Sequence, residues 1–324
     1  MKVTLHSVHT SSPVLFIIFN RPETTRQVFD KIKGAKPKRL YIAADGPRLN
    51  RDGESLKCAE TKALILAGID WDCEVKTFFR EHNVGPKEAI SSAIDWFFEN
   101  ETEGIILEHD CLPADTFFSF CDTLLEKYRF DQRIWLISGS NLTKGKKWGK
   151  DSYYFSHLTN GWGWATWKRS WVDYDKNLSR YDENEIKEQL EKIFDDPFIV
   201  DCWVQIFKNT KSGKIDTWDY QAGFAHLFNN CLNIVPNYNL VSNIGFDQFA
   251  ENTTNVNSAF ASIPLEEIRE ISHPKFILPE KEADRIVLME EFKSIAEHQK
   301  KHNSVRRRVK RWVKAKLNLA AMCF

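Results

Sequence analysis

No stretch of the 324-residue sequence approaches the roughly 20 consecutive apolar residues that a membrane-spanning helix requires. The N-terminal apolar run "PVLFIIF" is too short, and wrongly flanked, to predict a signal peptide. There is no G-x-G-x-x-G and no G-x-x-x-x-G-K-[ST], which excludes the dinucleotide fingerprint and the P-loop. There is no C-x-x-C either. The seven cysteines (58, 73, 111, 121, 202, 231 and 323) are odd in number and scattered. A reduced, cytoplasmic setting is the plainer expectation, and the sequons at Asn100, Asn141, Asn177 and Asn252 then carry little meaning. Net charge is absent too, with 45 basic and 45 acidic residues, so no nucleic-acid partner is expected.

What is present is an ordinary globular composition, 42% hydrophobic and 28% charged. The first half alternates. The β-rich runs 13–19, 39–44, 73–79 and 104–108 are each followed by a helical pattern, the arrangement of βαβ units and a mostly parallel sheet. Three predicted strands end in polar clusters: Asn20-Arg21, Asp45-Gly46 and Glu108-His109-Asp110. Glu81-His82-Asn83 follows the other. Ligands of open α/β sheets sit outside the carboxyl ends of strands, so these tips should line one crevice. Without a glycine cradle, a metal is the usual means of neutralising a bound diphosphate.

The segment "LEHDCLP" places two carboxylates at i and i+2 beyond a strand. Mg²⁺ or Mn²⁺ suits such hard oxygen donors. Zinc would need His or Cys partners for His109 and Cys111 that the spacing does not provide. Farther on, "TNGWGWATWKRSW" packs four Trp and two Gly into residues 159–171. With so many indoles in a loop-like stretch, Trp162 or Trp164 should face a ligand. A charged helical stretch is expected over about 183–210. "TWDYQAGFAHLF" then reads as a turn and a helix. His157, His226 and His273 are isolated and read as structural. In the C-terminal "VRRRVKRWVKAKLN", Val305, Val309, Trp312, Val313 and Leu317 share one helical face. Nine Lys/Arg lie between 300 and 316 with no acid. That is the pattern of a basic amphipathic helix on an anionic membrane surface, which would put the protein peripherally on a membrane's inner face.

The ordered set "FNRPETTRQVF", "AADGPR", "EHNVG", "LEHDCLP", "GWGWATW" and "WDYQ…IVPNYNLVSNIG" resembles nucleotide-diphospho-sugar glycosyltransferases of the GT-A fold. Within these it is similar to the family 2-like and N-acetylglucosaminyltransferase I-like branch. The resemblance covers roughly residues 13–250. It implies a Rossmann-like α/β domain over 1–285, with a nucleotide-binding half at about 13–130 and an acceptor half at about 131–285, and a helical tail over 286–324. It implies transfer from a UDP-sugar to a glycan or lipid-linked acceptor, with inversion, for a role such as polysaccharide biosynthesis. Asn20, Arg21, Asp45, Gly46, Asn83, Lys87, Glu108 and His109 would then meet the nucleotide, with Asp45 accepting from a uracil-like base. Asp110, with Glu108, would hold Mn²⁺ or Mg²⁺ in a DxD-like motif. Gly161, Trp162, Gly163 and Trp164 would form an acceptor platform. Asp219 would be the general base, with Asp201 the second choice. His109 departs from the family's usual acidic middle position. A sugar-1-phosphate nucleotidyltransferase and a non-catalytic glycan-binding protein are the alternatives. The first lacks its glycine-rich loop here, and the second would tolerate loss of carboxylates that this sequence keeps.

Overall fold

Residues 2–4, 9–246, 258–293 and 295 are described by the structure, a computed structural model of the chain. After β1 (Lys2–Thr4) come β2 (Val14–Ile18), α1 (Pro22–Ala35), β3 (Arg39–Ala44), α2 (Glu54–Gly68), β4 (Glu74–Phe79), α3 (Pro86–Asn100), β5 (Glu103–Glu108), β6 (Cys111–Pro113) and α4 (Phe117–Tyr128). The second half holds β7 (Ile134–Ser138), β8 (Tyr153–Ser156), β9 (Trp164–Trp167), α5 (Lys168–Trp171), α6 (Glu183–Ile193), α7 (Pro197–Lys211), α8 (Asp219–Phe228), β10 (Leu232–Pro236), β11 (Val241–Asn243), β12 (Glu270–Ser272) and α9 (Lys281–Glu291).

Eight strands form one sheet in the order β4-β3-β2-β5-β9-β7-β10-β8. The β4-β3-β2-β5 half is parallel throughout, as the alternation predicts. The other half is mixed. β9 runs antiparallel between β5 and β7, β10 pairs parallel with β7, and β8 is antiparallel to β10. The expectation of a mostly parallel sheet therefore holds for the first half only. The reason is that "WATW" is a buried strand that enters the sheet without a crossover helix before it.

β2 is buried along its whole length, which its unbroken VLFII run requires of a strand covered on both faces. Val28, Phe29 and Ile32 of α1 pack on one side of the sheet with α4. Ile90, Ile94 and Phe97 of α3 pack on the other, with Trp135 and Trp164. The charged stretch expected as one helix is two, because Asp196 caps a new start, accepting from Phe198 N–H at 2.9 Å, with Pro197 in the first turn.

α9 is tied to β8. Asp284 accepts from Ser156 Oγ at 2.5 Å and from His157 N–H at 2.9 Å, and Phe292 packs edge-on to Trp203 of α7. Residue 285, the expected edge of the main domain, thus falls inside a helix that packs on that domain. The amphipathic segment 305–317 lies outside the described residues. Among the described residues no helix is long and apolar enough to cross a membrane.

Candidate active site

The carboxyl ends of β2, β3, β4 and β5 open into one crevice of about 670 Å³, closed on the far side by α8, residues 158–162 and the end of α9. Polar strand tips in a parallel sheet predict this placement. Asn20, Arg21, Asp45, Asn83, Glu108, His109, Asp110, Gly161, Trp162 and Asp219 all line it.

Glu108 ends β5, and Asp110 follows in the tight turn into β6. Asp219 is the first residue of α8, where the helix dipole favours a negative charge. Burial pushes the Glu108 carboxyl up to about 8, and the charges of Asp110 and Asp219 push the same way. Asp219 therefore faces the strand-tip motif across the crevice. No basic side chain among the described residues pairs with either Glu108 or Asp219. Asp219 Oδ1 accepts from the Thr217 hydroxyl and from Tyr220 N–H at 2.9 Å, and among the described residues no other residue donates to Oδ2. Burial raises the Asp219 carboxyl above its ordinary value. Glu291, at the end of α9, borders the same space. Its side chain is exposed there.

Arg21 Nη1 lies 3.7 Å from Asp110 Oδ2 and donates to Gly245 O at 3.1 Å. A Cβ on Gly245 would collide with the Asp110 carboxylate, so only glycine lets the segment after β11 close over the motif. Ile244 N–H donates to Asp110 O at 2.8 Å and completes the clasp.

Asp45 is more heavily used than a lone base-binding carboxylate would be. It accepts from Gly46 N–H at 2.8 Å, Val84 N–H at 3.2 Å and Asn83 Nδ2 at 2.8 Å, and so joins the loops after β3 and β4. Gly46 lies so close to His82 that a Cβ would strike that backbone. Asn20 donates to Glu54 Oε1 at 2.7 Å. Glu54 is buried at the start of α2, and Arg48 closes onto it through both its guanidinium and its N–H. Burial would raise the Glu54 carboxyl, but the bonds from Arg48 and Asn20 outweigh it and hold the group low.

Several expected residues sit elsewhere. Lys87 does not border the crevice. Asp201 is on the outer face of α7, exposed and paired with Lys187 Nζ at 3.0 Å, so it is no candidate for the base. Trp164 is core: it stacks on Trp218 at 5.2 Å and on Trp135 at 6.4 Å, with β9 carrying it inward. Gly163 borders no ligand space and instead takes a positive φ of 61° beside Val241. Trp162, its face half-exposed, is the indole that reaches the crevice. Sequence reasoning passed over Arg48, Arg80, Thr159 and Glu291, all of which border it. Arg80, donating to Ser92 Oγ at 2.7 Å, sits on the first residue after β4 and could have been found by extending the strand-tip rule by one position.

Among the described residues no three His, Cys, Asp or Glu side chains are grouped to hold a metal ion. Glu108 and Asp110 supply two hard oxygen donors, and substrate phosphates would have to complete the shell.

No protein-family model matches the chain, and no curated protein matches it. Two solved structures to which it is similar are HddC from Yersinia pseudotuberculosis and mouse xyloside xylosyltransferase 1 in its apo form. The first is 11% identical with a TM-score of 0.29, covering 50% of this chain and 80% of its own. The second is 11% identical with a TM-score of 0.37, covering 82% of this chain and 98% of its own. Likeness this distant decides nothing about the chemistry.

Proposed function

We propose that the chain is a glycosyltransferase that moves a sugar from a nucleotide-diphosphate donor, UDP-sugar, to a hydroxyl of a glycan or lipid-linked acceptor, with inversion. One observation carries the reading. Glu108 and Asp110 at the end of β5 face Asp219 at the start of α8 across a crevice whose other lining includes Arg21, Arg48 and Arg80. A nucleotide diphosphate suits the arginine side, because guanidinium forks bond phosphate oxygens in pairs. The sugar then falls between the motif and Asp219.

In this arrangement Asp219 takes the proton of the acceptor hydroxyl as its oxygen bonds the anomeric carbon. The bond from that carbon to the phosphate oxygen breaks on the opposite face, and its electron pair leaves with the diphosphate, held by the arginines. A buried carboxylate with a raised proton affinity is a better base than a solvated one. Glu108 and Asp110 would hold Mn²⁺ or Mg²⁺. Two hard donors, one of them without a cationic partner, fit such an ion, which when bound supplies positive charge to the leaving diphosphate. Trp162 offers an apolar face to a sugar ring. The segment 305–317 would bring the enzyme to an anionic membrane where a lipid-linked acceptor resides.

The test is UDP-sugar hydrolysis and transfer, with and without Mn²⁺, by wild type, Asp110→Ala and Asp219→Asn. Turnover that needs both residues is the expected result. Turnover indifferent to both refutes the assignment, and NTP-dependent formation of a nucleotide sugar from a sugar phosphate would favour a nucleotidyltransferase instead.

A further inference from the structure

Charge is unevenly divided along the crevice. Arg21, Arg48 and Arg80 follow β2, β3 and β4, three strands adjacent in the sheet. Neighbouring strands lie about 4.8 Å apart, so these tips spread over roughly 10 Å on one side of β5. Asp45, the carboxylate on that side, is occupied by the N–H groups of Gly46 and Val84. From β5 onward the sign reverses. Glu108 and Asp110 stand beyond β5, and Asp219 and Glu291 come from α8 and α9. Past His109 in the sequence, no Lys, Arg or His borders the crevice among the described residues. The walls of this second half are apolar. Leu142, Leu158, Trp203 and Val287 line it and belong to one hydrophobic cluster. Low-dielectric walls focus the field of the charges between them.

Glu291 is the carboxylate of this half with no other task. Asp110 is shared with Arg21 at 3.7 Å, and Asp219 is spoken for by the proton transfer. Glu291 is exposed at the crevice and makes no ion pair among the described residues, whereas its neighbour Glu290 pairs with Lys144 at 3.0 Å. Packing fixes where it stands. Phe292, the next residue, lies edge-on to Trp203 with ring centroids 5.8 Å apart. Tyr220, the residue after Asp219, lies edge-on to the same indole at 6.1 Å. One tryptophan thus holds the start of α8 and the end of α9 side by side. A ligand seated against Asp219 meets a second carboxylate close by.

We propose that Glu291 is a specificity-determining residue and that, with Asp219, it makes the acceptor half of the crevice a charge filter. The acceptor is a neutral or amine-bearing sugar. A sugar with a carboxylate or phosphate near its reacting hydroxyl is refused, since like charges about 6 Å apart in a half-solvated cleft alter binding roughly ten-fold. The arginine half draws the diphosphate by the same rule, and the acidic half keeps the donor from seating in reverse. This rests on the transferase reading above for which molecule is filtered, but not for the sign of the charge.

The test uses the full chain and methyl glucosides and galactosides that differ only at C6, as amine, hydroxyl or carboxylate. Transfer to each is measured from UDP-glucose, UDP-galactose and UDP-N-acetylglucosamine. The expected kcat/KM is at least as high for the amine as for the hydroxyl, and about ten-fold lower for the carboxylate. Glu291→Lys, whose cation suits the end of a helix and should not disturb folding, raises the carboxylate relative to the hydroxyl, and Glu291→Gln raises it less. A carboxylate accepted as well as the hydroxyl by wild type, or a ratio unmoved by Glu291→Lys, overturns the proposal. A second readout needs no donor. Trp162 stands by the acidic motif, because Phe246, which it meets edge-on, follows the Gly245 that abuts Asp110. Its fluorescence, taken as the difference from Trp162→Phe, should be quenched better by caesium than by iodide, and less so in Glu291→Lys. Iodide quenching as good or better in wild type also overturns the proposal. Caesium preferred, but with no UDP binding and no transfer to any glycoside, upholds the sign of the charge and counts against the transferase reading instead.

Discussion

Arg21 Nη1 stands 3.7 Å from Asp110 Oδ2, and the same nitrogen holds the carbonyl of Gly245 at 3.1 Å. The first strand tip, the acidic motif and the segment after β11 are thus fastened at one point. Arg21 has two tasks there, orienting Asp110 and lending charge to the crevice. Gly245→Ala separates them, because its Cβ collides with Asp110 and leaves Arg21 in place. We expect this variant to keep its fold, by circular dichroism, and to lose most UDP-sugar turnover. Arg21→Ala should in addition weaken UDP binding by calorimetry. Full activity of Gly245→Ala would remove Asp110 from the machinery.

Asp219→Asn preserves the shape of the α8 start, since an amide oxygen can still accept from Thr217 and from Tyr220 N–H. What it loses is the ability to take a proton. A positioned general base contributes about 10²–10⁴-fold, and a decrease in transfer rate of that order is expected, with UDP affinity unchanged. Equal losses of binding and rate would mark Asp219 as a structural cap only.

The raised Glu108 carboxyl has a consequence for stability. Its folded-state proton affinity, about 8, exceeds the ordinary carboxylate value of 4.5. The folded protein therefore binds this proton more tightly than the unfolded chain does. Stability is highest with Glu108 protonated, below the unfolded value, and falls as pH rises between the two. Thermal midpoints without divalent cation should decline from about pH 5 to about pH 8, and Glu108→Gln should flatten the decline. An identical pH profile in the variant would contradict the placement of Glu108 beside Asp110 and Asp219.

The strand tips were legible in the sequence because two simple rules reach them: period and apolar run place the strands, and ligands collect at carboxyl ends. Asp219 needed the resemblance, since a carboxylate opening a helix is ordinarily a cap. Trp164 could not be told from Trp162 by composition. Their different fates follow from β9, an antiparallel strand whose short run looks like loop sequence. Asp45 and Asn20 show the opposite limit. Both are at the expected tips, yet their visible bonds go to Asn83, Val84 and Glu54, partners from loops and a helix whose approach no local pattern encodes. Glu291 arrives from more than 70 residues beyond Asp219, which only the docking of α9 on β8 makes possible.

The two tryptophans give a paired prediction. Trp164 is enclosed between Trp135 and Trp218, so Trp164→Ala opens a cavity, with a cost of about 3–5 kcal/mol in unfolding free energy. Trp162 meets Phe246 edge-on at 5.6 Å and otherwise borders the crevice. Trp162→Ala should cost far less stability and raise the apparent KM for the acceptor. Denaturant titration of both variants, with acceptor kinetics for the second, checks this, and a Trp162→Ala protein as unstable as Trp164→Ala would return all four indoles of this stretch to the core.

Glu54 offers the last separation, between building the phosphate side and touching the ligand. Its buried carboxylate receives Arg48 and Asn20 and is held ionised by them. Glu54→Gln keeps the size but removes the charge that fixes the Arg48 guanidinium, which also lies 5.4 Å from the Phe19 ring. A buried ion pair broken on one side is costly, because the remaining charge is left without its partner. Arg48, closer to open solvent than Glu54, can instead swing outward. The expected outcome is a small loss of stability and a clear loss of UDP affinity in Glu54→Gln, matched by Arg48→Ala and not deepened in the double variant. Additive losses in the double variant would show that Glu54 and Arg48 serve the nucleotide independently.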